Sequence, residues 1–222
     1  MGKILSLLVF LVGFKAYSFD VYSKCDFHTV SDRAMFECVR LVSDRSYSSD
    51  QLSMCDFHTS SDMGFLTCLR NIERLNISKD ILSTCDFLTN SDFAMFECAS
   101  FINIRKVPLA VMKRCDFHTN NDEAMLYCAD ILKNRPDFEK LARKCDFHLN
   151  SDSSFIMCLS KISEDIDGDI QVLKNCDFHT RSDLMALRCF DIAKERSISK
   201  ERMSKCDFHT NNDRGFLRCL EL

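Results

Sequence analysis

The sequence predicts an all-α protein: disulfide-stapled tandem helical repeats of about thirty residues, two helices each, forming an α-solenoid-like array. The first observation behind this prediction is an internal repeat. The block Cys-Asp-Phe-His, with Leu for His once, occurs seven times, and a second cysteine follows each first cysteine by thirteen positions. An amphipathic helical pattern follows each block. Helix breakers are also scarce, since only three glycines and two prolines occur after residue 18.

The repeat boundaries follow from the first cysteine of each block, which we number position 1. A short lead at residues 19–24 precedes the first repeat. The fifth repeat is one residue longer than the others and has Gly168 in its linker. The predicted repeats are residues 25–54, 55–84, 85–114, 115–144, 145–175, 176–205 and 206–222.

Residues 1–18 have the pattern of a secretory signal peptide. Lys3 precedes an apolar run at residues 4–14, and Ala16 and Ser18 are small residues suited to cleavage. The run is short for a membrane span, so we expect a secreted, extracellular protein without membrane insertion. All fourteen cysteines follow the signal. An exported chain favours disulfides for them, and the lack of closely spaced pairs argues against structural zinc.

The charge balance argues against some classes of partner. The formal net charge is −4, and residues 19–222 carry 27 basic and 33 acidic residues, a net of −6. Because these charges are scattered along the chain, nucleic acid and anionic membrane are not expected partners.

Each repeat is predicted to begin with an extended segment and a capped helix. Positions 5 and 8 are Thr and Asp in six repeats, which resembles a capping box with the threonine as N-cap. The fifth repeat has Leu149 instead, and Asn150 or Ser151 would cap its helix. Positions 11, 12, 14, 15 and 18 are apolar or cysteine, a stripe wide enough for burial against more than one neighbour. A shorter second helix is predicted in the linkers, for example at residues 48–54, 78–84 and 108–114.

The small residue at position 10 predicts that another segment of the chain lies close to the first helix there. We expect the repeat's own Cys-Asp-Phe-His segment to cross the helix there. The sixth repeat has Met185-Ala186 at positions 10 and 11, so its packing should be rearranged. Position 10 is small in the other six repeats, as Ala34, Gly64, Ala94, Ala124, Ser154 and Gly215.

Two regular disulfide schemes are compatible with the spacing. One joins positions 1 and 14 of the same repeat, and the other joins position 14 to the next repeat's first cysteine. An extended arm of ~13 Å and a helical return of ~13.5 Å would bring Cys25 and Cys38 together. The second scheme would leave Cys25 and Cys219 unpaired at the two ends. The within-repeat scheme is therefore favoured: Cys25–Cys38, Cys55–Cys68, Cys85–Cys98, Cys115–Cys128, Cys145–Cys158, Cys176–Cys189 and Cys206–Cys219.

All six histidines occupy position 4, and repeat three has Leu88 there. In an extended segment the position-3 phenylalanine would face inward, and the aspartate and histidine would share the outer side. This pair predicts either support of the turn, which we favour, or a metal site. Neighbouring repeats are expected ~10 Å apart, too far to share an ion. The candidate ligands are Asp26, His28, Asp56, His58, Asp116, His118, Asp146, His148, Asp177, His179, Asp207 and His209.

The sequence favours binding over catalysis. Every histidine and cysteine belongs to the repeated framework, so no separate catalytic constellation or cofactor is indicated. A precursor cut into seven peptides is disfavoured, because dibasic pairs precede only the cysteines at positions 115 and 145. Asn76-Ile77-Ser78 is a glycosylation sequon in a predicted turn.

The pattern resembles, in general style, the secreted disulfide-rich helical effectors of saliva, venom or body fluid. We therefore expect an extracellular effector, toxin-like in style, that binds a protein or polymer. The alternatives are a structural extracellular protein and a metal-sequestering protein acting through the Asp/His pairs. The tissue of expression would separate the effector from the structural protein.

Overall fold

The computed structural model describes residues 20–45, 47–72, 74–75 and 77–222. The predicted signal peptide and the sequon residue Asn76 lie outside these ranges. Within them the chain forms fourteen helices and no β-strand. No helix in the described ranges is long and apolar enough to cross a bilayer.

The helices alternate between two kinds. The even-numbered helices, here called A helices, all begin at position 8 of their repeat and carry its second cysteine. They are α2 (Asp32–Asp44), α4 (Asp62–Ile72), α6 (Asp92–Asn103), α8 (Asp122–Leu132), α10 (Asp152–Lys161), α12 (Asp183–Arg196) and α14 (Asp213–Glu221).

The odd-numbered helices, here called B helices, precede each A helix and carry the first cysteine. They are α1 (20–28), α3 (Ser49–Phe57), α5 (Lys79–Leu88), α7 (Leu109–His118), α9 (Phe138–His148), α11 (Ile166–His179) and α13 (Lys200–Phe208). Each B helix and the following A helix form a hairpin of two helices, which confirms the predicted all-α repeat.

The extended segment predicted for Cys-Asp-Phe-His is wrong, because these residues form the last turn of each B helix. In α3, for example, the helix starts at a capping box made by Ser48 and Gln51 and continues to Phe57. Nothing in the block breaks a helix, and the buried Leu52 and Cys55 lie three positions apart on one face. The linker helix and the motif are therefore one element.

The chain divides into two compact units, Met1–Arg105 and Lys106–Leu222. In the first unit, α2 packs on α4 and α4 on α6. In the second, A helices pack on A helices from α8 to α14, and B helices pack on B helices from α7 to α13. Each unit therefore stacks hairpins in the manner of a repeat protein, where neighbours bury the surface that one repeat cannot.

Each hairpin is closed by one disulfide between positions 1 and 14. The seven Cα–Cα distances are 5.5 to 5.8 Å, and no cysteine in the described residues is free. In the loop-entropy model a loop of this size contributes about 3 kcal/mol. The crosslinks hold the last turn of every B helix against the middle of its A helix.

The apolar stripe of the A helices forms the core. Position 11 is almost fully buried as Phe65, Met95 and Phe155, and position 12 is buried in five repeats. In the first repeat, which no repeat precedes, Phe36 at position 12 remains 58% exposed. In the sixth repeat, position 11 is only Ala186, and the buried Phe190 at position 15 supplies the bulk, in agreement with the predicted rearrangement.

Candidate binding surface

The turn between the two helices of a hairpin is set by positions 5 to 7. The sequence predicts that threonine at position 5 caps the A helix, and this prediction is wrong. Its hydroxyl instead donates to the carbonyl of the first cysteine, for example from Thr29 to Cys25 at 2.8 Å. Position 7 caps the A helix by accepting from the position-10 amide. The caps are Ser31, Ser61, Ser91, Asn121, Ser151, Ser182 and Asn212.

Aspartate at position 8 joins one repeat to the repeat before it. Asp62 accepts from the amides of Val30 and Ser31 at 2.8 and 3.0 Å and from the Ser31 hydroxyl at 2.6 Å. These hydrogen bonds lower the pKa of Asp62, with the Ser31 hydroxyl as the largest cause. Asp92, Asp152, Asp183 and Asp213 make the same type of bond to their preceding repeats.

The small residue at position 10 leaves room for this carboxylate. A Cβ atom added at Gly64 would collide with the carboxylate of Asp92, from the next repeat. At Gly64 the close neighbour is therefore the carboxylate of the next repeat, and not the repeat's own Cys-Asp-Phe-His segment that the sequence analysis predicts. In the seventh repeat, a Cβ on Gly215 would instead lie 3.3 Å from the Cβ of Thr210 in its own turn.

Histidine at position 4 is buried between repeats, which corrects the predicted outer placement. His58 is 5% exposed, and its Nδ1 lies 2.9 Å from Oδ2 of Asp86 in the next repeat. His148 and His179 bond Asp177 and Asp207 in the same way, both at 3.1 Å. The pairs His28–Asp56 and His118–Asp146 are equally close, at 3.1 and 3.0 Å, but their angles fall outside hydrogen-bond geometry.

The rings of three of these histidines also pack against the position-11 phenylalanine of the following repeat. The ring centroids are 5.7 to 5.8 Å apart in the pairs His28–Phe65, His118–Phe155 and His179–Phe216. These three junctions thus combine a ring contact with a histidine–aspartate contact. His209, in the seventh repeat, is exposed.

The metal hypothesis placed Asp and His of one repeat on a shared outer side. The structure instead places five of the six histidines beside the aspartate of the next repeat, with Nδ1–Oδ2 distances of 2.9 to 3.1 Å. In the part of the chain that the structure describes, no three His, Cys, Asp or Glu side chains gather as a metal site. Asp116 follows the repeat with Leu88, so no histidine stands at position 4 before it. Burial, and secondarily the charge of Asp122, raises the pKa of Asp116.

Phenylalanine at position 3 points into solvent in all seven repeats, opposite to the predicted inward orientation. The exposed fractions range from 76% to 87%. Where the next residue is histidine, the two rings meet edge to face at 4.9 to 5.1 Å, which orients the phenyl ring. The position-3 phenylalanines are Phe27, Phe57, Phe87, Phe117, Phe147, Phe178 and Phe208.

The chain matches no family model, no curated protein and no solved structure. Its function is therefore inferred from its own surface.

The surroundings of the position-3 phenylalanines are open grooves rather than closed pockets. A groove of about 590 Å³ between α3 and the start of α5 is lined by Asp50, Ser53, Phe57 and Lys79, among others. Five of the seven position-2 aspartates face a histidine, and their side chains remain 44% to 47% exposed. The outer face of the B helices therefore presents an aromatic ring and a carboxylate once per repeat.

Sequence reasoning singled out the Cys-Asp-Phe-His block but assigned its faces incorrectly. The signal that was available is the linker's apolar residue at position 28, such as Leu52, Leu82 and Met112, which is fully buried. It lies three residues before the first cysteine, so one continuous helix would bury both of them. That helix phase turns position 3 outward.

Proposed function

We propose that this protein is secreted and acts as a binding protein, an effector that contacts an extracellular protein or polymer through its position-3 phenylalanines. It acts by binding rather than by catalysis. The observation that carries the proposal is the exposure of these seven rings, at 76% to 87%. Seven disulfides support an oxidising, extracellular setting.

Exposure of these rings has an energetic cost that folding does not recover. Burying a phenylalanine side chain contributes about 1.5–3 kcal/mol, so each repeat forgoes that amount. The same hairpins bury Leu52, Leu82 and Met112 completely. A row of large apolar side chains outside a well-filled core is typical of an interaction site.

The rigidity of the scaffold also supports binding. Each ring stands two residues after a disulfide-bonded cysteine, on the last turn of a helix, and is oriented by an adjacent histidine ring where one is present. Little conformational freedom is then lost when a partner covers the ring. We do not propose metal sequestration, because the buried histidines already face carboxylates of the neighbouring repeats.

The test is site-specific photocrosslinking in the extracellular fluid into which the protein is released. A photoreactive phenylalanine analogue replaces Phe147, and a matched control replaces Tyr127, an exposed aromatic residue on an A helix of the same unit. We expect a discrete crosslinked species from position 147 only, and its loss when Phe117 and Phe178 are changed to Ser. Equal crosslinking from both positions, or from neither, would contradict the proposal.

A further inference from the structure

The outer strip of a B helix consists of its position-3 phenylalanine and the residues four and seven positions before it, which share one helix face. In the first three repeats, whose B helices all lie in the first unit, the residue four before is serine and the residue seven before is aspartate. All six side chains are exposed: Ser23, Ser53, Ser83, Asp20, Asp50 and Asp80.

The fourth to sixth repeats, in the second unit, have a different strip. The residue four before the phenylalanine is a cation, Lys113, Arg143 or Lys174, and all three are exposed. The residue seven before is Ala110, Lys140 or Gln171. The first unit therefore has an acidic aromatic strip, and the fourth to sixth repeats of the second unit form a basic aromatic strip. The seventh repeat, with Ser204 and Glu201 before Phe208, has the acidic pattern and lies outside the basic strip.

The charges that distinguish the strips are available to a partner. Among the described residues, Asp50 and Asp80 form no ion pair, and neither do Lys113, Arg143 and Lys174. Asp20 and Lys140 are already paired, with Lys24 at 2.9 Å and with Asp167 at 2.7 Å. Lys79 adds one positive charge at the edge of the first unit's groove.

The net charges of the two units differ in the same sense as the charges of their strips. Residues 20–105 contain 8 basic and 13 acidic residues, a net of −5, whereas residues 106–222 contain 19 and 20, a net of −1. The second unit as a whole is nearly neutral, so the positive charge of its strip is a local feature of that surface.

We infer that the occupant of these strips is a second copy of the chain, with the first unit of one copy bound to the second unit of another. The inference rests on the proposed function, in which the phenylalanines form a binding surface. Acid then meets base across the interface, and each strip carries one ring per hairpin, so three rings of one copy face three rings of the other.

The area is close to what a specific interface needs. Three rings at about 80% exposure offer ~500 Å² per side when a phenylalanine presents roughly 200 Å². Two sides then bury ~1,000 Å², and the flanking charged side chains bring the total into the range of about 1,200–2,000 Å² for stable complexes. Each copy still has one strip of the opposite sign, so the contact either closes a dimer or extends a chain of copies.

The experiment is sedimentation velocity of the full oxidised chain over a range of concentrations at low and high salt. We expect self-association that weakens with salt, because the charges lie at an exposed interface. The triple variant K113E/R143E/K174E should weaken association about tenfold or more, and adding D50K/D80K to the same chain should restore it. The control R181E/R214E/R218E changes the charge of the second unit equally, outside the strip, and should associate like the parent chain.

A monomer at every concentration overturns the inference, as does equal weakening by the control variant. Circular dichroism of each variant separates loss of contact from loss of fold. Photocrosslinking from position 147 to a different molecule, with no self-association, would leave the proposed binding function standing and reject this partner. Self-association restored by D50K/D80K establishes the second copy as the partner.

Discussion

The outer strip of the B helices and the junctions between repeats use adjacent residues of one motif. Position 3 lies on the exposed outer strip, whereas position 4 lies in the buried junction. Phe57 is 80% exposed, whereas His58, the next residue, is 5% exposed and lies against Asp86. The apolar ring faces water, and the polar ring is buried. Helix phase, rather than side-chain polarity, decides which face each residue occupies.

The difference separates what holds the array together from what it can bind. Junction residues have partners within the chain: histidine with aspartate, and the position-8 carboxylate with the preceding turn. The outer rings contact little beyond the adjacent histidine ring. Changes at the junctions should therefore alter stability, and changes on the strip should alter binding.

The largest expected contrast lies within α3 itself. Leu52 is fully buried, so Leu52→Ala should lower the free energy of unfolding by about 2–5 kcal/mol through lost burial and a cavity. Phe57→Ala, on the outer side, should change it by no more than about 0.5 kcal/mol. Urea unfolding of the oxidised proteins measures both. A comparable loss for Phe57→Ala would mean that the ring packs within the fold.

The next contrast compares two histidines of the same motif. His58→Ala removes a buried ring and leaves Asp86 without its partner, which should cost about 2–3 kcal/mol. His209→Ala affects an exposed ring that faces no aspartate within the described residues, and it should be nearly neutral. Equal effects on the denaturation midpoint would show that the histidine acts within its own hairpin rather than across the junction.

The repeat and the apolar helical stripe could be predicted from the sequence because both depend on periodicity, and the same pattern occurs seven times in this chain. The geometric argument for joining Cys25 to Cys38 assumed an extended arm, but a helical hairpin brings the same cysteines to 5.7 Å. The orientation of Phe27 and His28 could not be derived in this way. It depends on whether the linker helix continues through the motif, and the buried residues of the neighbouring repeat help to decide that.

A third contrast concerns the position-8 carboxylates. Asp62→Asn should lower stability by about 1 kcal/mol, because the amide binds the turn of the preceding repeat less well than a carboxylate does. Asp32→Asn is the control, since no repeat precedes the first. The pKa of Asp62 is lowered in the folded chain. Asp62 therefore contributes its stability above the pKa that it has in the unfolded chain, and this contribution is lost as pH falls through its lower pKa in the folded chain. In acid, the stability of Asp62→Asn should approach that of the parent chain.

The smallest contrast compares the position-2 aspartates Asp116 and Asp86. Asp86 has His58 beside it, whereas position 4 before Asp116 is Leu88. The pKa of Asp116 is raised, first by burial and then by Asp122, so its ionised form disfavours the folded state. That penalty disappears as pH falls through the raised pKa, which makes the contribution of this group to stability greater in acid.

Asp116→Asn removes the penalty, so stability at neutral pH should stay the same or rise slightly. Asp86→Asn should lower it, because His58 loses its carboxylate. Chemical denaturation at neutral and mildly acidic pH tests both variants. The gain from Asp116→Asn should shrink on acidification, as protonation relieves the parent chain of the same charge. A loss of stability in Asp116→Asn at neutral pH would show that this carboxylate has a favourable partner.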